Sequence, residues 1–218
     1  MSALNDQPEG FRIDASFGLD EETEEQLRDL AWGIVLRGVS DPDEFVDAAT
    51  DDELLDEETA TAVFASVVEV RRRQQASFGD LAPTSLSDAF DELERRGVVA
   101  RQNFSCCGNC ASGEIWDERP AGRPSRGYVY FHSQDTDSLL DSNETYIGYG
   151  AFPDAFISES EWKALDDAGR SARYEKEVLA LMNDTVIPVL KDHGIDVVWN
   201  RSLGTRILLR NVEYYAPV

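Results

Sequence analysis

The sequence predicts an α+β protein: an acidic helical amino-terminal region, residues 1–80, then a mostly antiparallel sheet with packed helices, residues 81–218. Three observations carry this. Apolar residues recur at three- and four-residue spacing through most of the first ninety positions, the mark of helices that bury one face. Gly127 to His132 alternates instead, with Val129 and Phe131 on one side and Tyr128, Tyr130 and His132 on the other, as in a strand. The chain then closes on a hairpin, Ile195 to Trp199 and Thr205 to Val212, and irregularly spaced strands of this kind favour an antiparallel sheet.

The elements follow in order. Asp20 caps a helix whose Leu27, Leu30, Ala31, Ile34 and Val35 share a face, stopping at Gly38. Asp41-Pro42 starts a second helix, with Asp41 as cap and Pro42 in the first turn. A third runs from about Asp56 to Gln75 on Ala60, Val63, Val67 and Val70, and Arg71-Arg72-Arg73 suits its carboxyl end. Ser85 and Asp88 resemble a capping box before Leu86, Phe90 and Leu93, with a stop at Gly97. Val98 to Phe104 and Thr145 to Phe152 read as strands, and Arg119 to Arg126 as an exposed loop. Ser158 and Glu161 form a capping box, and a longer helix follows Gly169, kinked by Pro188 and ending near Gly194. Trp32, Trp116, Trp162 and Trp199 fall one per element, which reads as core packing.

Composition narrows function. The chain has 218 residues, 43 Asp and Glu against 20 Lys and Arg, and a net charge of −23. Residues 1–60 hold 19 acidic and 3 basic side chains. Such a field repels nucleic acid and anionic membranes; it reads first as a solvated, solubilising surface and otherwise suits a basic protein partner. No stretch approaches the ~18 apolar residues of a membrane span. Met1 to Gly10 lacks the basic-then-apolar order of a signal peptide, which points to the cytoplasm. An odd count of three cysteines fits a reducing compartment.

All three cysteines fall in one heptapeptide, Phe104-Ser105-Cys106-Cys107-Gly108-Asn109-Cys110. Four readings compete. In thiol–disulfide exchange, Cys107 would attack and Cys110 would resolve, the helix start favouring the thiolate. In a zinc site, Cys106, Cys107, Cys110 and His132 would form a Cys3His set. In nucleophilic catalysis, a cysteine would use His132 as base and Asp135 to orient it. In the fourth reading the thiols are small buried apolar groups and His132 belongs to a polar layer beside Tyr128 and Tyr130. Burial is the expected outcome. Cys107 and Cys110 should lie at the start of a helix, with Cys107 nearer solvent than Cys110, so that any chemistry would begin at Cys107. His193, at a helix end, reads as structural.

The cysteine heptapeptide, Glu114-Ile115-Trp116-Asp117-Glu118 and Gly127-Tyr128-Val129-Tyr130-Phe131-His132-Ser133-Gln134-Asp135-Thr136 together resemble an uncharacterised bacterial family, a domain of unknown function. The resemblance covers most of the chain, is specific around residues 84–150, and implies no activity. Relatives often carry histidine at the position of Ser112, so a metal site in this chain gains no ligand there. The favoured functional reading is a non-enzymatic interaction or regulatory protein with an acidic surface and no cofactor. The alternative is a redox or zinc-binding protein built on the cysteines.

Overall fold

The structure, a computed structural model, describes residues 4–218. The chain divides into two compact units, one reaching to Ala82 and including Tyr215–Val218, the other Pro83–Tyr214.

The first unit is helical. Helices α1 (Glu21–Leu36), α2 (Asp43–Asp51) and α3 (Glu57–Ser77) follow a short 3-10 turn at Ala15–Phe17. Asp20 and Asp56 cap α1 and α3 through the backbone N–H groups of Thr23 and Thr59. Pro42 itself occupies the cap position of α2, while the Asp41 carboxylate accepts from Asp43 N at 3.0 Å. Leu27, Ala31, Phe45, Ala49, Val63, Phe64 and Val67 form the core, with Phe45 and Phe64 stacked at 5.5 Å. Arg71 is more than a cation at a helix end: it is fully buried, its guanidinium between the rings of Trp32 and Tyr215. Its Nη1 donates to Leu4 O at 2.7 Å, so one side chain ties both termini of the chain to α3.

The second unit is α+β. Strands β1 (Val98–Arg101), β2 (Gly127–Tyr130), β3 (Glu144–Ala151), β4 (Asp196–Val198) and β5 (Ile207–Arg210) make one sheet in the order β1-β2-β3-β5-β4. β1 and β2 run parallel, and every other pair is antiparallel. The parallel pair follows from the long connection through helix α5 (Gly108–Glu114), since a tight turn joins only antiparallel neighbours. Helices α4 (Ser85–Arg95), α6 (Ser133–Ser142), α7 (Glu159–Ala164), α8 (Asp167–Leu181) and α9 (Ile187–Asp192) complete the unit. Glycine alternation in β3 has a packing reason. Gly148 and Gly150 pair with Tyr130 and Tyr128, and an added Cβ would lie 2.6 and 2.4 Å from those side chains. The two phenol rings therefore lie across β3 and stack on each other, 6.1 Å apart.

Several boundaries differ from the sequence expectation. β1 ends at Arg101, because Asn103 and Ser105 adopt left-handed backbone (φ 47° and 63°) that no strand continues. Thr84, not Ser85, caps α4 through Ser87 N. α8 starts at Asp167, before Gly169, because Asp166 accepts from Gly169 N at 2.8 Å. Residues 133–142, which alternation left outside any element, form α6. Pro188 acts through a π-helical turn, Met182–Val186, joining α8 to α9. Widening the turn there relieves the clash of the proline ring with the preceding carbonyl and absorbs its missing N–H. Trp116 is 41% exposed, so it is not a core residue. Its ring packs edge-on to Phe152 at 5.0 Å, with the Arg119 guanidinium over it at 5.3 Å.

Candidate functional site

Helix α5 explains where the thiols point. Its inner stripe is Ala111 and Ile115, both fully buried in a cluster with Val99, Tyr130 and Phe152. Counting back four residues from Ala111 reaches Cys107 at the cap, while Cys110 and Cys106 fall off the stripe. Cys107 is accordingly half-buried, and Cys106 and Cys110 are exposed. This overturns the expectation of buried cysteines, and it reverses the expected order of Cys107 and Cys110. All three are free thiols, and their sulfurs lie within 4.8 Å of one another.

The loop that presents them is held tightly. Phe104 N donates to Phe131 O at 2.9 Å, and Ser133 N to Ser105 O at 3.1 Å. The Ser133 hydroxyl donates to Cys106 O at 3.0 Å, and that of Thr136 to Asn103 Oδ1 at 3.0 Å. The first turn of α6 is thus the clamp on the cysteine loop, and through it the left-handed Asn103 and Ser105 are maintained. Each such residue costs about 1–3 kcal/mol and persists only where its surroundings fix it.

Electrostatics separate the thiols. The Cys107 side chain closes no capping hydrogen bond, yet the N–H groups of Cys110 and Asn109 favour its thiolate and lower its pKa. Cys110 is pushed up to about 11, first by its contact with the Cys106 sulfur and then by Cys107. A second ionisation beside an existing thiolate is opposed by like charge, and a cation would remove that opposition.

His132 and Asp135 form a separate group. His132 is the cap of α6, and its backbone N–H donates to the Asp135 carboxylate at 3.2 Å. Its Nε2 lies 3.1 Å from Asp135 Oδ2, and Arg206 grips the same carboxylate with both terminal nitrogens. Nδ1 is buried with no hydrogen-bond partner. The ring edge lies against Gly108, the residue after Cys107: a Cβ there would be 3.7 Å from Nε2. Among the described residues, no trio of close metal-ligating atoms includes His132. The structure therefore brings Cys106, Cys107 and Cys110 together, and His132 and Asp135 together, as neighbouring groups. Ser112 turns elsewhere, its hydroxyl 2.7 Å from Gly108 O and 2.8 Å from Tyr130 OH. Arg206 is the residue that sequence reasoning missed; it lies 71 positions from Asp135 and no local pattern connects them.

Burial lowers the pKa of His132, with Arg206 adding to the effect and Asp135 opposing it. The sign follows. The unfolded chain binds this proton more readily than the folded one, so the His132 contribution is complete above the ordinary histidine value and is lost as pH falls below about 6.5. Replacing His132 with Gln should shrink the fall in urea midpoint between about pH 7.5 and 5.5. An undiminished fall in the variant would assign that pH dependence to other groups.

A family model described as "Domain of unknown function (DUF6891)" matches residues 20–215. The chain belongs to this family. The DUF6891 match spans both units, so the acidic helices and the cysteine-bearing α+β unit are parts of one family domain. No curated protein and no solved structure matches the chain. No helix among the described residues is long and apolar enough to cross a membrane.

Proposed function

We propose that this DUF6891 chain is a metal-binding protein that holds zinc through Cys106, Cys107 and Cys110. The observation that carries the reading is the convergence of three free thiols within 4.8 Å. Thiolates around one zinc ion stand roughly 3.8 Å apart, as Zn–S bonds of ~2.3 Å at tetrahedral angles require, so small rotamer shifts would close the set. Zinc favours four ligands, and with two thiols exposed the fourth position is open to water or an exchangeable ligand. This reading displaces the interaction protein as the primary one, because the thiols are presented and not packed away. The acidic excess of residues 1–60 supports an additional role, attraction of a basic protein partner.

The test is metal analysis of protein purified without added metal, joined to alkylation of the native chain. Zinc near one equivalent, with thiols that react only after chelation, is the expected result. A metal-free protein that refuses added zinc and shows one fast thiol at Cys107 would replace this reading with thiol–disulfide exchange.

A further inference from the structure

A second site lies away from the cysteines, where α9 faces the β4–β5 hairpin. A cavity of about 530 Å³ opens there between Asn183, Pro188, Lys191, Trp199 and Arg201. Its size falls in the range of small-molecule sites, roughly 300–1,000 Å³. Its charge is unusual for this chain: 43 of the 218 residues are acidic, yet none of the residues lining the cavity is. Both of its cations, Lys191 and Arg201, lack a carboxylate partner among the described residues, whereas most other arginines of the unit are paired.

The walls are fixed in advance. The Trp199 indole N–H donates to Tyr149 OH at 3.1 Å, and that hydroxyl lies 3.0 and 2.8 Å from the carbonyls of Ser202 and Thr205. Asn200 Oδ1 accepts from Ser202 N and from the Thr205 hydroxyl, closing the turn that carries Arg201. Arg201 sits in that turn with φ 62°, a conformation its side chain disfavours and the turn imposes. On the opposite wall, Asn183 lies within the π-helical turn and donates Nδ2 to Leu179 O, leaving Oδ1 as an acceptor. Ile187, Pro188 and Val197 supply apolar surface beside the indole.

We propose that this cavity binds a planar aromatic anion, with its ring against Trp199 and its carboxylate or phosphate between Lys191 and Arg201. An indole and neighbouring apolar groups suit a flat ring. Two cations unoccupied by carboxylates suit an oxyanion, which either can bind by charge-assisted hydrogen bonds. The overall negative charge does not forbid this, because exposed charges beyond ~10 Å are largely screened at 0.1 M salt and no carboxylate lines the cavity. The proposal is independent of the zinc reading.

The test follows the Trp199 indole signal in nitrogen-labelled full-length protein, assigned with Trp199→Phe. Adenosine 5′-monophosphate and 4-hydroxybenzoate are the phosphate and carboxylate probes; adenosine and 4-hydroxybenzamide are their uncharged counterparts. Saturable displacement of that signal by either anion, with the uncharged counterpart about tenfold weaker, is the expected result. Lys191→Ala and Arg201→Ala should each weaken binding about fivefold, and the double charge reversal Lys191→Glu with Arg201→Glu should abolish it. Both side chains are exposed, so the variants keep the fold. Neither anion moving the signal at millimolar concentration would overturn the proposal. So would equal binding of charged and uncharged probes, full affinity in the double reversal, or inorganic phosphate binding as tightly as the nucleotide.

Discussion

Gly127→Ala is expected to cost the α+β unit at least about 3 kcal/mol, at the upper end of what overpacking produces. Gly127 opens β2, between Val98 of β1 and Ala151 of β3. A Cβ at this position would stand 2.2 Å from Gly150 O and 2.9 Å from Ala151 Cα, and 2.5 Å from a Leu181 methyl. Two of those three atoms are backbone of the central strand and cannot swing aside as a side-chain end would. The methyl group must therefore displace β3, on whose other side β5 and then β4 are paired. With domain stability commonly 5–15 kcal/mol, such a loss would leave the unit near its unfolding threshold. Gly113→Ala is the control: nothing lies within 4 Å of its added Cβ, and alanine in α5 should be neutral to stabilising. Hydrogen exchange of amides 127–130 in the full chain reads the effect on this unit directly, which a single whole-protein midpoint would not. Protection in Gly127→Ala equal to that in Gly113→Ala would show that the sheet yields more easily than its backbone contacts imply.

What the sequence made legible was mostly local chemistry. Asp20, Asp56 and the Ser158–Glu161 pair announce helix starts because a short acceptor meets the free N–H groups two or three residues on, within one turn. Alternation in Gly127 to His132 located β2 because period 2 is a backbone property. Failures came where two local signals competed or where the answer lay far along the chain. Thr84 and Ser85 are equally able caps, and only the built helix chooses between them. α6 escaped the sequence because its cap is a histidine, whose Nδ1 accepts nothing from the helix; the Asp135 carboxylate, accepting from the His132 N–H, closes the turn. The parallel pairing of β1 with β2, and the grip of Arg206 on Asp135, are long-range choices that no window of sequence displays.

The cysteines show the same division more sharply. Their clustering and their placement at a helix start were readable from the heptapeptide. Their exposure was not, because it depends on which face α5 buries, and Ala111 with Ile115 fixes that against Val99 and Phe152. General burial preference for free cysteine pointed the wrong way because these thiols flank the apolar stripe.

Cys107→Ser should lower zinc affinity by at least about 100-fold, and that affinity should rise with pH in the native chain. Loss of an outer-shell partner alone costs metal sites about 10–100-fold, and loss of a thiolate ligand exceeds that. His132→Gln should change affinity little, since His132 pairs with Asp135 outside the thiol trio; an equal loss in both variants would make the histidine a ligand after all. The pH dependence follows from proton balance. Zinc binds thiolates, so each coordinated sulfur still protonated in the free protein must release its proton. Cys110, held up to about 11 by Cys106 and Cys107, is protonated throughout the neutral range. Binding therefore displaces at least that proton, and affinity should climb at least about tenfold per pH unit between about pH 6 and 8. Cys107, whose pKa is lowered where that of Cys110 is raised, contributes less to this slope than Cys110. Competition against a chromogenic chelator at several pH values measures both effects. A flat profile, or full affinity in Cys107→Ser, would remove zinc from the thiol cluster and return the site to sulfur redox chemistry.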